Sequence, residues 1–185
     1  NHIGTHDTER ALTVLAGEPS NGRGREWQSK QKLTPEQRER GLKLLRLASL
    51  LQYTLPGVPC LYYGDEAGME GYRDPFNRET YPWGKEDQEL IQWYRALGSI
   101  RKKCPALRES GMVPYVAERD CLVFLRLGSR LSTLTAVNRS NEQREIELPS
   151  EWRHIQVLLG AEPENGKLHL GPYGYSLLLL EEEEE

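Results

Sequence analysis

The hydrophobic pattern of the chain changes near Pro105, and this change constrains the fold more than any other feature. Before Pro105, segments with helical spacing alternate with short apolar runs, an order typical of β/α units in a barrel or a doubly wound sheet. After Pro105, apolar residues recur at every second position in short segments separated by turn residues, which favours a small antiparallel sandwich. We therefore predict an α/β domain over residues 1–105 and an all-β domain over residues 106–185.

Two long helices are predicted in the first domain, over residues 35–55 and 86–103. The first begins at Thr34-Pro35-Glu36-Gln37, where a capping residue precedes a proline, an acidic residue and an amide. A short helix is predicted over residues 8–16. The segment 17–33 contains several glycines among polar and basic residues, and we expect it to be an exposed loop.

Two parallel strands are predicted beside these helices, over residues 1–7 and 58–63. The second is an apolar run bounded by Pro56-Gly57 and by Gly64-Asp65, a pattern typical of a strand that is buried on both faces. Seven strands are predicted in the second domain, over residues 112–117, 122–127, 131–137, 145–148, 155–159, 167–170 and 176–180.

Polar residues follow both predicted parallel strands. The pair His6-Asp7 ends the first strand, and Glu66 lies just after the second. Because the carboxyl ends of barrel strands form one face, where active sites lie, we expect these groups to share a candidate site. The residues alone also allow a simpler interpretation, in which Asp7 caps the following helix and Glu66 forms a salt bridge within its loop.

Composition argues against several classes of function. The formal net charge is −4 and acidic residues are interspersed with basic ones, which argues against nucleic acid binding. No apolar run reaches the length of about 18 residues that a transmembrane helix needs, so we predict no membrane span. The spacing of Cys60, Cys104 and Cys121 matches no metal motif and no disulfide framework. We therefore predict no metal, no cofactor and a reducing, cytoplasmic location.

Three segments resemble conserved parts of the α-amylase family of glycoside hydrolases. Gly4-Thr5-His6-Asp7-Thr8-Glu9-Arg10 is similar to the family's fourth conserved region. Pro56-Gly57-Val58-Pro59-Cys60-Leu61-Tyr62-Tyr63-Gly64-Asp65-Glu66-Ala67-Gly68-Met69 resembles its last barrel strand and the loop that follows. Asp74-Pro75-Phe76-Asn77-Arg78, followed by Tyr81-Pro82-Trp83, is similar to a loop of neopullulanases, cyclomaltodextrinases and maltogenic amylases.

The resemblance implies a fold and an activity. It implies that residues 1–105 form the last two β/α units of a (β/α)8 barrel, with residues 1–7 and 58–63 as its seventh and eighth strands. Residues 106–185 would then be the small antiparallel β-sandwich that follows the barrel. The implied activity is that of a retaining hydrolase or transglycosylase that acts on α-1,4- and α-1,6-glucans, with an α-glucan or maltooligosaccharide as substrate.

The resemblance also implies roles for individual residues. Asp7 matches a third carboxylate that holds sugar hydroxyls at the cleavage site and helps to distort the ring, and His6 matches a histidine that hydrogen-bonds the same sugar. Both are candidate catalytic residues. The candidate substrate-binding residues are Glu66, Asp74, Arg78 and Trp83. Arg78 could instead bridge Asp74 within its own loop, and Trp83 could instead pack in the core.

In this family the nucleophile and the acid/base come from the fourth and fifth barrel strands, which match no segment of the sequence. We therefore expect the chain to be the C-terminal portion of a longer enzyme and to be inactive alone. Its expected partners are the missing N-terminal part of the barrel and, through unpaired strand edges, a second copy in a homodimer. Two alternatives stay open: a non-catalytic amylase-like relative and a carbohydrate-binding module.

Overall fold

The computed structural model describes residues 1–109, 111–149, 152 and 154–181. The chain divides into two compact units. The first comprises Asn1–Gln52 and Pro59–Leu97, and the second comprises Tyr53–Val58 and Gly98–Glu185. The predicted domain boundary at residue 105 stays a prediction.

Helices dominate the N-terminal half of the chain. They are α1 (Ala11–Ala16), α2 (Arg25–Ser29), α3 (Pro35–Thr54) and α4 (Gln88–Lys103), with one 3₁₀ turn at Phe76–Arg78. The two long helices confirm the predictions for residues 35–55 and 86–103. The short helix begins at Ala11 rather than at residue 8, and helix α2 lies inside the segment that was expected to be a loop. None of the helices in the described part of the chain is long and apolar enough to cross a membrane.

Helix α3 begins where its capping sequence predicts. The Gln37 amide N–H donates a hydrogen bond to the Thr34 hydroxyl at 3.2 Å, and the Thr34 N–H donates to the Gln37 side chain at 2.9 Å. This reciprocal pair satisfies two backbone donors that the first turn of a helix leaves free. Further along, the buried indole Nε1 of Trp93 on α4 donates to the Ser49 hydroxyl on α3 at 2.8 Å, which joins the two helices through their apolar faces.

The two predicted parallel strands are absent, and that prediction is wrong for this structure. Residues 1–7 and 58–63 form no β-ladder, although the N–H of Cys60 donates to the C=O of Asn1 at 2.7 Å. The side chain of Gln52 bonds the C=O of Cys60 at 2.9 Å. The apolar run is also not buried, since Val58 is 77% exposed. A parallel strand requires a neighbour that pairs along several residues, and an apolar run alone does not supply one.

The C-terminal half is built from β-strands, after a short helix α5 (Ala106–Glu109). The strands are β1 (Met112–Ala117), β2 (Cys121–Arg126), β3 (Leu131–Asn138), β4 (Arg144–Glu147), β5 (Ile155–Gly160), β6 (Pro163–Glu164), β7 (Lys167–Leu170) and β8 (Tyr175–Glu181). All seven predicted strands are present within one or two residues of their expected bounds. Sequence analysis missed β6, which is only two residues long.

These strands form two antiparallel sheets, with orders β1-β2-β3-β8-β5 and β4-β7-β6. Apolar side chains from both sheets share one buried cluster, to which Val123, Leu134 and Leu178 contribute from the larger sheet and Ile146 and Leu168 from the smaller. This shared core makes the unit a β-sandwich, as the period of two in the sequence predicts.

Both edges of the five-stranded sheet are irregular. The pairing of β1 with β2 shifts register between Pro114 and Val116, and the pairing of β5 with β8 shifts between Val157 and Leu159. Such bulges twist a strand locally and leave part of it unpaired.

Candidate functional site

The predicted His-Asp pair lies on a tight turn that precedes helix α1. Two threonines define this turn: the Thr5 N–H donates to the Thr8 hydroxyl at 2.9 Å, and the Asp7 N–H donates to the Thr5 hydroxyl at 3.2 Å. The side chains of His6 and Asp7 remain 66% and 73% exposed, with Nε2 of His6 at 3.1 Å from Oδ2 of Asp7. The turn therefore presents both functional groups at the surface of their unit, where a ligand can reach them.

A second loop brings Arg78 and Asp74 to the same turn. The Arg78 Nη2 atom lies 3.7 Å from Oδ1 of Asp7, and its Nε atom lies 3.2 Å from Oδ1 of Asp74. Arg78 thus forms the bridge to Asp74 that sequence analysis considered, and it also contacts Asp7. Because these pairs are exposed, each contributes at most about 1 kcal/mol to folding stability. Their arrangement of one cation between two carboxylates provides several hydrogen-bonding groups for a hydroxyl-rich ligand.

Asn77 joins the two loops from a buried position. Its side-chain Nδ2 donates to the C=O of His6 and to the C=O of Thr8, each at 2.7 Å. The neighbouring Arg78 adds a bond from Nε to the C=O of His6 at 3.2 Å. Asn77 therefore holds a turn that lies far from it in the sequence, since it is 71 positions from His6 and 69 positions from Thr8.

A buried ion pair lies close to the turn. The Nη1 atom of Arg10 is 3.5 Å from Oδ1 of Asp65 and donates to the C=O of Tyr63, and the side chains of Arg10 and Asp65 are 0% and 1% exposed. The guanidinium carbon also lies 4.3 Å and 4.6 Å from the ring centroids of Tyr62 and Tyr63. Stacking on aromatic faces is a favourable environment for a cation that has left water.

Burial raises the pKa of the Asp65 carboxyl to about 6, while the Arg10 guanidinium opposes this rise and the Glu66 carboxylate adds to it. Gly4 permits the close approach of this carboxyl to the turn. A Cβ at Gly4 would lie 2.9 Å from Oδ2 of Asp65, so a larger residue there would displace the carboxylate. The pair therefore links the start of the turn to the end of the apolar run.

The other two candidate residues have different surroundings. The Glu66 carboxylate accepts the N–H of Gly64 at 2.9 Å. Burial, followed by the nearby Glu66 carboxylate, raises the pKa of the Tyr81 phenol. Trp83 is 82% exposed and its ring lies 4.6 Å from that of Tyr81, so the alternative that Trp83 packs in the core is wrong.

Sequence analysis missed the roles of Arg10, Asp65 and Asn77 in building this site. An arginine soon after the His-Asp pair and an aspartate at the end of an apolar run are opposite charges on segments expected to be neighbours, and this signal could have indicated their pairing. For Asn77 the composition of the loop gives no comparable signal. Among the residues that the structure describes, no group of three or more His, Cys, Asp and Glu side chains is arranged to hold a metal ion.

Known proteins align in sequence with nearly the whole chain, although no family model matches it. A cyclomaltodextrinase of Geobacillus thermopakistaniensis is 33% identical over 193 aligned residues, which cover 98% of this chain and 29% of that protein. An amylopullulanase of Thermoanaerobacter thermohydrosulfuricus is 38% identical over 126 residues, which cover 68% of this chain and 8% of that protein. The chain thus spans less than a third of the length of these relatives.

The fold also matches solved structures. The crystal structure of an Anoxybacillus α-amylase superposes with a TM-score of 0.76 at 22% sequence identity, over 100% of this chain and 38% of that one. Both halves of the chain, including the antiparallel sheets, therefore match parts of one larger known fold.

Proposed function

Since the chain belongs to the α-amylase family of glycoside hydrolases, we propose that it carries part of the active site of a retaining enzyme that hydrolyses or transfers α-glucans. The cyclomaltodextrinase and amylopullulanase relatives support α-1,4- and α-1,6-linked glucans or maltooligosaccharides as the substrate class. The chain covers 29% and 8% of those relatives, which supports its being part of a longer enzyme. We assign it to the C-terminal portion, with residues 1–105 in the barrel and 106–185 in the sandwich.

The exposed His6-Asp7 turn is the observation that carries this proposal. In this assignment Asp7 accepts hydrogen bonds from hydroxyls of the sugar at the cleavage site, and His6 donates to the same ring. Hydrogen bonds that strengthen as the ring flattens towards the oxocarbenium-like transition state lower the barrier instead of merely tightening binding. Such bonds need fixed partners, and the contacts of Asn77 and Arg78 with the turn support this requirement.

The chemistry needs two further carboxyl groups, a nucleophile and an acid/base about 5 Å apart, as in other retaining glycosidases. We assign these two groups to barrel strands outside this chain, so the chain alone would be inactive.

The remaining candidates would hold the substrate beside the cleavage site. Asp74 and Arg78 provide acceptor and donor atoms next to Asp7, which suits the hydroxyl groups of an adjacent sugar. Trp83 offers an exposed ring on which a sugar face could stack. We assign Glu66 to ordering the loop on which the substrate rests, through its bond to the N–H of Gly64.

The substitution Asp7→Asn in the full-length protein tests the proposal. It preserves shape and removes the charge, so we expect kcat for a maltooligosaccharide to fall about 100-fold or more, as when one group that stabilises a transition state is lost. The matched control is Asp120→Asn, which removes a carboxylate paired with Arg139 in the sandwich and should leave turnover unchanged. Near-normal turnover of Asp7→Asn would contradict the proposed role.

The same assay separates the two alternatives. A full-length protein that binds an α-glucan but neither releases reducing ends nor changes the lengths of maltooligosaccharides by transfer would be a non-catalytic relative. Binding that survives deletion of residues 1–105 would indicate a carbohydrate-binding module instead.

A further inference from the structure

We propose that Asn77 is a positioning residue that fixes the orientation of Asp7 by clamping the backbone on both sides of it. This inference rests on the proposed function, since it assigns Asn77 a role in the reaction that Asp7 supports. Asn77 does not need to touch the substrate. Its effect on the reaction passes through the turn that carries Asp7.

The hydrogen bonds of Asn77 bracket Asp7. One amide group donates its two hydrogens to the C=O of His6 and to the C=O of Thr8, at 2.7 Å each, so the carbonyl groups of the residues before and after Asp7 are both held. A side-chain amide has two donors, and both are used here. With these two carbonyls held, the directions in which the Asp7 side chain can leave the backbone are restricted.

The orientation of the amide follows from its partners. Both neighbours are acceptors, so the nitrogen and not the oxygen must face them. The Asn77 Oδ1 atom is buried and has no hydrogen-bond partner among the described residues. A buried acceptor without a partner is unfavourable, so the favourable contribution of this side chain comes from its two donor bonds.

Contacts with neighbouring residues fix the position of Asn77 itself. Asn77 is fully buried on the 3₁₀ turn Phe76–Arg78, and the hydroxyl of Tyr62 donates to its backbone C=O at 3.4 Å. Gly71 lies against the same turn so closely that a Cβ there would be 2.2 Å from the C=O oxygen of Phe76. The turn of Asp7, in contrast, is held internally by exposed hydrogen bonds through Thr5 and Thr8. Exposed bonds compete with water, so the bonds of Asn77, which are part-buried and come from a fully buried residue, should decide the position of Asp7.

The test compares two substitutions at Asn77 in the full-length protein. Asn77→Asp keeps the shape but places a carboxylate without donors against two carbonyl oxygens, and Asn77→Ala removes the amide without adding charge. For both we expect kcat for a maltooligosaccharide to fall about 10- to 100-fold with KM nearly unchanged, because a displacement of about 1 Å at a reacting centre costs on that order. Asn141→Asp, at an exposed turn of the sandwich, is the matched control and should leave both constants unchanged.

A double-mutant cycle separates positioning from a general loss of structure. If Asn77 acts through Asp7, then Asn77→Asp in an Asp7→Asn background should change kcat by less than about threefold, because the two effects are not additive. Full additivity, or a kcat near the wild-type value in folded Asn77→Asp and Asn77→Ala proteins, would overturn the inference. So would failure of both variants to fold, since Asn77 would then be a determinant of the fold alone.

The cycle also distinguishes this inference from the proposed function. If Asp7→Asn itself leaves turnover intact, the proposed function fails and the inference fails with it. If Asp7→Asn abolishes turnover while both Asn77 variants retain it, only the inference fails.

Discussion

Arg10 and Asp65 form an ion pair that is almost completely buried, 55 positions apart in the sequence. The pair sits between the turn that carries His6-Asp7 and the loop that follows residue 63, so it connects the two segments that sequence analysis expected to share a site. The loss of one partner should cost more free energy of unfolding here than in the exposed pairs around Arg78, because water cannot solvate the remaining buried charge.

Removal of the cation should be costly. Arg10→Met leaves the Asp65 carboxylate buried without its charged partner, and we expect a loss of about 3–5 kcal/mol in the free energy of unfolding at neutral pH. Urea denaturation of the full-length protein measures this loss. Arg46→Met is the control, since Arg46 pairs with the exposed Glu89 at 3.0 Å and its loss should cost no more than about 1 kcal/mol. Similar costs for the two substitutions would contradict the importance of burial.

The Asp65 carboxyl should make stability depend on pH. Its pKa rises from 3.8 to about 6 in the folded protein, so the folded state holds this proton more tightly than the unfolded state does. The contribution of Asp65 to the free energy of unfolding is therefore most favourable below about pH 4. It declines by about 3 kcal/mol in all as the pH rises to about 6, and it stays constant above that pH. Asp65→Asn removes this group. The difference in unfolding free energy between wild type and variant, measured from pH 4 to pH 7, should change in that direction, and a flat difference would contradict it.

Two glycine substitutions should have opposite effects. In Gly71→Ala the new methyl group would lie 2.2 Å from the backbone oxygen of Phe76, and neither backbone can yield easily. We expect a loss of about 1–3 kcal/mol in stability, as for other overpacked sites, together with lower turnover because the loop with Asn77 must move. Gly98→Ala, within helix α4 and with no atom within 4 Å of the new Cβ apart from its chain neighbours and the backbone of its own helix, should instead stabilise by about 0.5–1 kcal/mol. Thermal unfolding of both variants checks the signs.

Trp83 should influence substrate binding and not folding. Because its side chain lies largely in solvent, Trp83→Ala should change the free energy of unfolding by less than about 0.5 kcal/mol. If its ring stacks on a sugar, KM for a maltooligosaccharide should rise several-fold. Trp93→Ala is the matched contrast, since Trp93 is buried and bonded to Ser49, and its loss should cost about 3–5 kcal/mol. An unchanged KM for Trp83→Ala would remove Trp83 from the substrate site.

Sequence signals predicted the elements that are marked by local capping residues or by a regular spacing of apolar residues. Helix α3 was predicted because its capping residues and its apolar positions agree, and the sandwich strands because alternation puts their apolar side chains on one face. The strands at 1–7 and 58–63 were predicted wrongly, since strand formation depends on a pairing partner and an apolar run does not specify one. The two-residue strand β6 is too short to show a period.

The candidate site was predictable only in part. The motif identified His6, Asp7 and Arg78, and the structure brings these three together. The supports of the site were predictable only in one respect, since the opposite charges of Arg10 and Asp65 could have indicated their pairing. The burial of Arg10 and the clamp by Asn77 depend on contacts between segments more than 50 positions apart. Such contacts leave no periodic trace in the sequence.

The irregular edges of the five-stranded sheet have a consequence for how the protein behaves at high concentration. Strand β1 exposes the side chains of Met112, Val113 and Tyr115, and an exposed apolar edge strand by itself would favour pairing with another molecule. Pro114 interrupts this strand with a residue that has no N–H to donate, and the register shift beside it bends the strand. The shift in β5 does the same at the opposite edge. We therefore expect each edge to be a poor template for fibril growth, despite the exposed apolar side chains of β1.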